Sequence, residues 1–581
     1  MKRFLIGFLA VIGALVLLVV VIAAFAGWWA VRHMEARDEP PLAIMLTLDL
    51  RHPIPEAPGL SPFALFEEGA NPTMSEIVLG LDAAAADPRV RGLFVRLAET
   101  DHGFAKAQEL RDAIHRLRAA GKEVVGWADS LGELGRGREG AMIAAAMGEF
   151  HLQPGGTVGL AGIGVEIPFV RPLLDKIGIE PLVDRRLEYK TMADNALEPR
   201  LTPANREMLD AMLDSLEGQL LRGIGDDRGI APDRLRAIVD QGPFTADEAQ
   251  GFGLIDGQGY LEEVRENFRQ RLGPVAAMDL AAYVALQAGP RGFGIGAAPE
   301  GDAEETVIAL LRAEGMVTRG SDGINDTVAA DDLAARLYEL GRDPSVDAIV
   351  LRLDTGGGSA VASETIAHAL RQVIEEGTPV VLSMGNAAAS GGYWIAMDAS
   401  RIVAQPGTFT GSIGVIAVKP MVAELSARLG VNWEHLERGA NADMWNISEP
   451  YDASGQARLD ALLDDVYDRF VSGVARGRGL DEARVREIAK GRVWTGESAL
   501  ALGLVDRLGG IAEALEEAST AIGIDAGAPV VVRLYPEPEP PWQAAFDLLA
   551  EQFAAVRLIG GWLRAAASGG TTAHMPLFFV R

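Results

Sequence analysis

Apolar positions along this chain fall into short β-branched runs separated by stretches of helical period. Val346–Leu353 and Val380–Met384 are mostly apolar runs of strand length. Ser363–Ile374 carries its apolar residues at helical spacing. Runs of the first kind read as buried strands and those of the second as crossover helices. The alternation predicts an α/β fold with mostly parallel sheets. The pattern also recurs at long range. Asp87–Leu97 parallels Asp343–Leu353, and Gly121–Val125 parallels Gly377–Val381. Gln153–Gly155 parallels Gln405–Gly407, and Phe244–Asp256 parallels Trp494–Asp506. Four segments kept in one order indicate a duplication, so the chain is expected to hold two copies of one domain.

The ends depart from this pattern. Lys2 and Arg3 precede an uncharged stretch from Phe4 to Val31, long enough to span a bilayer, for which about 20 apolar residues suffice. Trp28 and Trp29 sit where interfacial aromatics are favoured, and the leading charges favour a cytoplasmic N-terminus. The expected organisation is an anchor at 1–33, a first repeat at 40–287, a Gly/Ala/Pro-rich linker at 288–305, a second repeat at 306–532 and a tail at 533–581. In that tail Pro536, Pro538, Pro540 and Pro541 interrupt regular structure before a helical pattern over Trp542–Leu563.

Composition narrows the chemistry. The 581 residues carry a formal charge of −28, which disfavours nucleic acid as a partner because phosphate binding needs a basic footprint. There is no cysteine, which excludes thiol nucleophiles, disulfides and thiolate metal sites. The eight histidines form no H-E-x-x-H, so a zinc peptidase lacks support.

Two small-residue stretches follow strands of the second repeat. Asp354–Ser359 (DTGGGS) reads as a turn whose exposed N–H groups could hold a developing oxyanion. It fits neither nucleotide-binding glycine motif. Gly385–Tyr393 (GNAAASGGY) reads as a turn opening a buried helix, with Ser390 at the positive end of the helix dipole. A capping serine accounts for the same residue. The repeat discriminates between these readings. Aligned through Gln-Pro, Ser390 falls on Arg138, Gly391 on Glu139 and Gly392 on Gly140; aligned through Glu-Pro, Lys190 falls on Asn441. One copy keeps a serine and the other a lysine, the pattern of a duplicated enzyme with one composite site. A Ser390–His368 pairing is the weaker alternative, since a lone histidine on a helix is more often solvated or packed.

These residues resemble the S49 serine proteases in the long, duplicated form of the signal peptide peptidase A (SppA, protease IV) family. The resemblance is carried by Ala388-Ala389-Ser390-Gly391-Gly392-Tyr393, by Thr410-Gly411-Ser412-Ile413-Gly414-Val415 and by Tyr189-Lys190. It implies two tandem Clp-protease/crotonase-like domains with Ser390 as nucleophile, Lys190 as general base, Ser412 orienting the lysine, and Gly391 and Gly358 as oxyanion donors. It further implies a membrane-anchored endopeptidase degrading cleaved signal peptides or similar apolar peptides. No metal and no cofactor are expected. The resemblance places the chain in a bacterial inner membrane as a single-pass protein, with its catalytic domains on the periplasmic side. It also implies a homo-oligomer, a tetramer by analogy. Where the family has Ser-Pro-Gly-Gly-Ser, this chain has Thr355-Gly356-Gly357-Gly358-Ser359, and losing a proline loosens the unbound loop. A crotonase-like acyl-CoA enzyme and a non-catalytic membrane scaffold are the competing readings of the same fold.

Overall fold

The computed structural model describes residues 42–58, 72–133, 137–288, 292–295, 305–321, 327–525 and 528–536. The expected anchor at 1–33 and the expected tail helix beyond Pro536 lie outside the described residues. Among the described residues no helix is long and apolar enough to cross a membrane.

The first repeat builds a six-stranded sheet from β1 (Ile44–Asp49), β2 (Val90–Arg96), β3 (Glu123–Ala128), β4 (Glu149–Leu152), β5 (Gly257–Gln258) and β6 (Ala276–Asp279), in the order β5–β4–β3–β2–β1–β6. Every pairing in it is parallel. The second repeat contributes β7 (Phe293–Ile295), β8 (Val307–Glu314), β9 (Ala348–Thr355), β10 (Val380–Ala389), β11 (Arg401–Ala404), β12 (Phe409–Gly411), β13 (Val493–Thr495), β14 (Arg507–Leu508) and β15 (Val530–Tyr535). Its central order is β14–β11–β10–β9–β8–β15, the same path as in the first sheet. Only β7 on β15 and β13 on β12 run antiparallel. Two 26-residue helices, Pro203–Arg228 and Ala453–Arg478, occupy equivalent places, and each ends at a left-handed glycine, Gly229 and Gly479. The duplication read from sequence is thus a duplication of topology.

Two boundaries move. Phe293–Ile295, inside the stretch expected to be a linker, is the edge strand β7, and β15 runs to Tyr535, past the boundary expected at 532. Strand positions also shift: the run expected at Val346–Leu353 forms β9 at Ala348–Thr355.

The central strands β8, β9 and β10 are buried on both faces, as parallel sheets covered by helices require. One continuous apolar core joins the two repeats, running from Leu46, Leu93 and Val95 to Leu310, Val350 and Val381. A second connection crosses between them. Glu180–Arg185 of the first repeat pairs antiparallel with Ile416–Met421 of the second, Val183 opposite Val418. This ribbon brings the first repeat's arm alongside the segment that follows Ser412.

Candidate active site

The site lies where three strand ends of the second repeat meet that arm. The helix α1 (Phe104–Ala119) belongs to the first repeat; α2 (Ala360–Glu375) and α3 (Gly391–Ala396) belong to the second. After β9 the chain turns through Gly356–Gly358 into α2, where Ser359 Oγ accepts from Ala362 N at 3.3 Å as a helix cap. The run after Met384, expected to be a turn, is instead strand. Ala387–Ala389 pair with Phe409–Gly411, and Ala388 stands opposite Thr355 across a register shift in β9. Pairing on both sides overrides the weak strand preference of Gly, Asn and Ala.

At the end of β10 the backbone bends at Ser390, which has φ 53° and ψ −115° and makes no capping hydrogen bond from its side chain. That backbone conformation is costly for a residue with a Cβ. The capping account of Ser390 therefore fails: its hydroxyl is turned to another partner. Lys190 Nζ lies 2.8 Å from Ser390 Oγ, 2.9 Å from Ser412 Oγ and 2.9 Å from the Ser412 carbonyl oxygen. An ammonium can donate to all three oxygens. A neutral amine can donate to the two Ser412 oxygens and accept from the Ser390 hydroxyl, so the same geometry serves both protonation states.

Several contacts seat Lys190. Arg186 N donates to Val415 O at 3.0 Å and Tyr189 N to Lys490 O at 3.1 Å, which fixes the arm to the second repeat. Gly491 packs directly on the lysine; a Cβ there would come within 2.6 Å of Lys190 Cβ, at a φ of 79°. Ser412, itself at φ 50°, donates its N–H to Arg492 O at 2.7 Å. The roles of Gly491 and of the Arg492 carbonyl escaped sequence reasoning, because neither position carries a reactive side chain.

Lys190 is only 4% exposed. Burial alone lowers its amine from the ordinary lysine value to about 8. At that value a substantial fraction is neutral near physiological pH, as a general base requires.

Gly357, at φ 101°, presses on the turn at Ser390: a Cβ would fall 2.7 Å from Gly391 N and 2.9 Å from Ser390 Cβ. This close approach brings Gly358 and Gly391 to the wall of the same cleft as Ser390. Neither N–H has a backbone acceptor among the described residues. Two free donors beside a serine hydroxyl are the parts of an oxyanion hole. The cleft has a volume of 810 Å³, and its apolar lining includes Met192, Met316, Trp394, Val415, Val466 and Phe470. Among the described residues that line it, Lys190 is the one ionisable side chain of the lysine, arginine, histidine or acidic types.

The remaining candidates lie elsewhere. His368 is exposed on α2 and does not line the cleft. At the position equivalent to Ser390, Arg138 donates to the neighbouring Glu139 at 2.7 Å. Asn441, equivalent to Lys190, has a buried Oδ1 with no partner among the described residues. Among the described residues no cluster of His, Asp or Glu has a metal-binding arrangement.

The family model for peptidase family S49 matches residues 116–273 and 372–525, one region in each repeat. The chain is 30% identical to Protease 4 of Salmonella typhi over 458 residues, covering 77% of this chain and 72% of that protein. It is 29% identical to the chloroplastic serine protease SPPA of Arabidopsis thaliana over 441 residues, covering 74% of this chain and 63% of that protein. Protease 4 of Haemophilus influenzae is 27% identical over 465 residues, at 77% and 72% coverage. With a match in each repeat and relatives aligned along most of its length, the chain belongs to the serine peptidases of family S49.

Proposed function

We propose that the chain is a serine endopeptidase working through a Ser390–Lys190 dyad on apolar peptides. The observation that carries this reading is the 2.8 Å approach of a buried lysine amine to a serine hydroxyl held in a strained turn.

In the proposed mechanism a peptide carbonyl carbon sits against Ser390 Oγ, with its oxygen toward the Gly358 and Gly391 N–H groups. Neutral Lys190 takes the Ser390 proton as Oγ bonds to the carbonyl carbon. The negative charge that develops on oxygen is held by the two amides. The ammonium then returns the proton to the leaving amine as the C–N bond breaks. Water attacks the acyl-serine with Lys190 again as base. Ser412 fixes the direction of the amine lone pair through its hydroxyl and its carbonyl. The apolar cleft favours apolar residues beside the scissile bond, which suits remnants of cleaved signal peptides. An anchor formed by residues 4–31 would hold the enzyme at the bilayer where such peptides are released. Two Clp-protease/crotonase-like units per chain, joined into a homo-oligomer, complete the reading. An acyl-CoA enzyme has no use for the lysine–serine contact.

Because the active form is the neutral amine, peptide hydrolysis should rise with pH through about 8 and level off above it. The sign follows from the cause: burial disfavours the ammonium, so the base becomes available below the ordinary lysine range. The kcat/KM profile of an apolar peptide measures this. A profile that is flat, or governed by a group near 6.5, contradicts the proposal.

Ser412→Ala removes one of three oxygens around Lys190 Nζ and keeps the carbonyl. A neutral hydrogen bond of about 1 kcal/mol corresponds to a fall in kcat of roughly 5- to 10-fold, with KM little changed. Steady-state kinetics on the folded variant checks it.

A further inference from the structure

The loop that carries Gly358 has little to hold it at its exposed corner. A Cβ at Gly356, where the family proline is missing, would meet nothing within 4 Å. Behind this corner is a 460 Å³ cavity lined by His102, Lys106, Glu314, Asp354, Gly356 and Asn386. Yet the loop's first residue is firmly tied. Asp354 Oδ1 accepts from Ala387 N at 2.9 Å, and its Oδ2 lies 3.4 Å from Lys106 Nζ. Ala387 is on the nucleophile strand β10, a few residues before Ser390. Asp354 thus bridges the oxyanion loop and the nucleophile strand across the register shift in β9, where the backbone ladder is interrupted.

Lys106 comes from the other repeat, on the first turn of α1. It is 4% exposed and also approaches Glu56 at 3.4 Å and Glu314 at 3.5 Å. Its Nζ donates to Ile54 O at 3.0 Å. Burial pushes this ammonium down, but the carboxylates of Glu56, Asp354 and Glu314 more than offset that, and it is held above the ordinary lysine range. These two buried lysines therefore have opposite environments: Lys190 is lowered by burial without a carboxylate partner, and Lys106 is held as a cation by three carboxylates. Asn386 completes the connection. Its Nδ2 donates to His102 O at 2.9 Å, and its Oδ1 accepts from Lys106 N at 3.2 Å, so the nucleophile strand is clasped to the start of α1.

The geometry points to Lys106 and Asp354 as positioning residues, an inter-repeat joint that aligns the Gly358 loop with Ser390 in place of the missing proline. The inference rests on the proposed Ser390–Lys190 peptidase and deepens it. The first repeat then supplies more than the base: through Lys106 it also sets the distance between nucleophile and oxyanion donors. Misplacement of catalytic groups by about 1 Å can cost on the order of 10²-fold, whereas ground-state peptide binding depends on the apolar cleft, which the joint does not touch.

The test is kinetic, on the full chain. Lys106→Met removes the cation at similar length. Asp354→Asn keeps the shape of the side chain and an acceptor for Ala387 N–H, and leaves Lys106 two carboxylates, so it serves where Lys106→Met does not fold. Folded active sites are counted by titration with a fluorophosphonate, so loss of folded protein is not read as loss of rate. Per titrated site, kcat should fall about 10- to 100-fold with KM within threefold, and affinity for a peptide boronic acid, whose adduct engages the oxyanion donors, should fall by a similar factor. Combining the two substitutions should cost little more than the larger single effect. If wild type hydrolyses the peptide and both folded variants stay within twofold of its kcat, the joint has no positioning role, while the dyad stands. If wild type neither hydrolyses the peptide nor reacts with the fluorophosphonate, the dyad and the joint fall together.

Discussion

Ser390→Ala is expected to lower peptide hydrolysis by about 10⁴- to 10⁶-fold, and Lys190→Met by a comparable factor, with the double variant no worse than either. Non-additivity follows from the 2.8 Å contact: in the proposed mechanism nucleophile and base act in one step, so removing either removes the step. A serine without a base is a weak nucleophile at neutral pH, and a lysine without the serine has no substrate atom to act on. Stability separates this from misfolding. Ser390→Ala leaves the β10 turn in place and relieves no packing, so its unfolding temperature should match wild type. Lys190→Met should be at least as stable as wild type at pH 7. The Lys190 amine is lowered to about 8 in the folded chain and titrates near 10.5 when unfolded. The folded state therefore binds fewer protons between those values, and wild-type stability rises with pH across that window. Below it wild type carries the cost of a buried ammonium, which methionine lacks. Steady-state kinetics with thermal melts at pH 7 checks both parts.

The largest expected loss of stability comes from Arg352, a fully buried arginine on β9 between the repeats. It donates to Glu56 through Nε at 3.0 Å and Nη2 at 2.9 Å, and to Glu109 Oε2 at 2.7 Å. Its Nη1 reaches Ser383 Oγ and Met384 O, each at 3.0 Å. Both glutamates belong to the first repeat, so the guanidinium is an ionic pin through the apolar core that joins the two sheets. Such a group adds modest net stability when intact, since its desolvation is costly, but cutting it leaves uncompensated buried charge. Arg352→Met is expected to cost about 3–5 kcal/mol. Neutralising the stranded acids, in Arg352→Met/Glu56→Gln/Glu109→Gln, should recover part of that loss. Urea denaturation of the three proteins measures it. A single variant within 1 kcal/mol of wild type would mean that the pair contributes little to joining the repeats.

Much of this organisation was legible in the sequence, for reasons tied to particular residues. The apolar runs at Val346–Leu353 and Val380–Met384 announce strands because a parallel sheet buries both faces. The duplication was visible because both sheets keep one strand order, which preserves the spacing of motifs such as Gln153-Pro154 and Gln405-Pro406. The divergence of the copies then singled out Ser390 and Lys190 as the pair worth testing. Other features leave no local trace. Strand β10 continues through Gly385–Ala389, residues of low strand preference, because Thr355 and Phe409–Gly411 offer pairing partners distant in sequence. The ribbon between Glu180–Arg185 and Ile416–Met421, which delivers Lys190, is a pairing between copies that no single repeat encodes. Lys106 reads as an ordinary helix lysine until the fold places Glu56, Glu314 and Asp354 around it.

The central claim is that a buried neutral lysine activates Ser390. It is tested most directly by reacting wild type, Ser390→Ala and Lys190→Met with a fluorophosphonate at pH 6 and pH 9 and locating the adduct by mass spectrometry. Wild type should carry an adduct on Ser390 that forms faster at pH 9 than at pH 6, with none on either variant over the same time. Equal labelling of Lys190→Met, or a wild-type adduct confined to another residue, would contradict it.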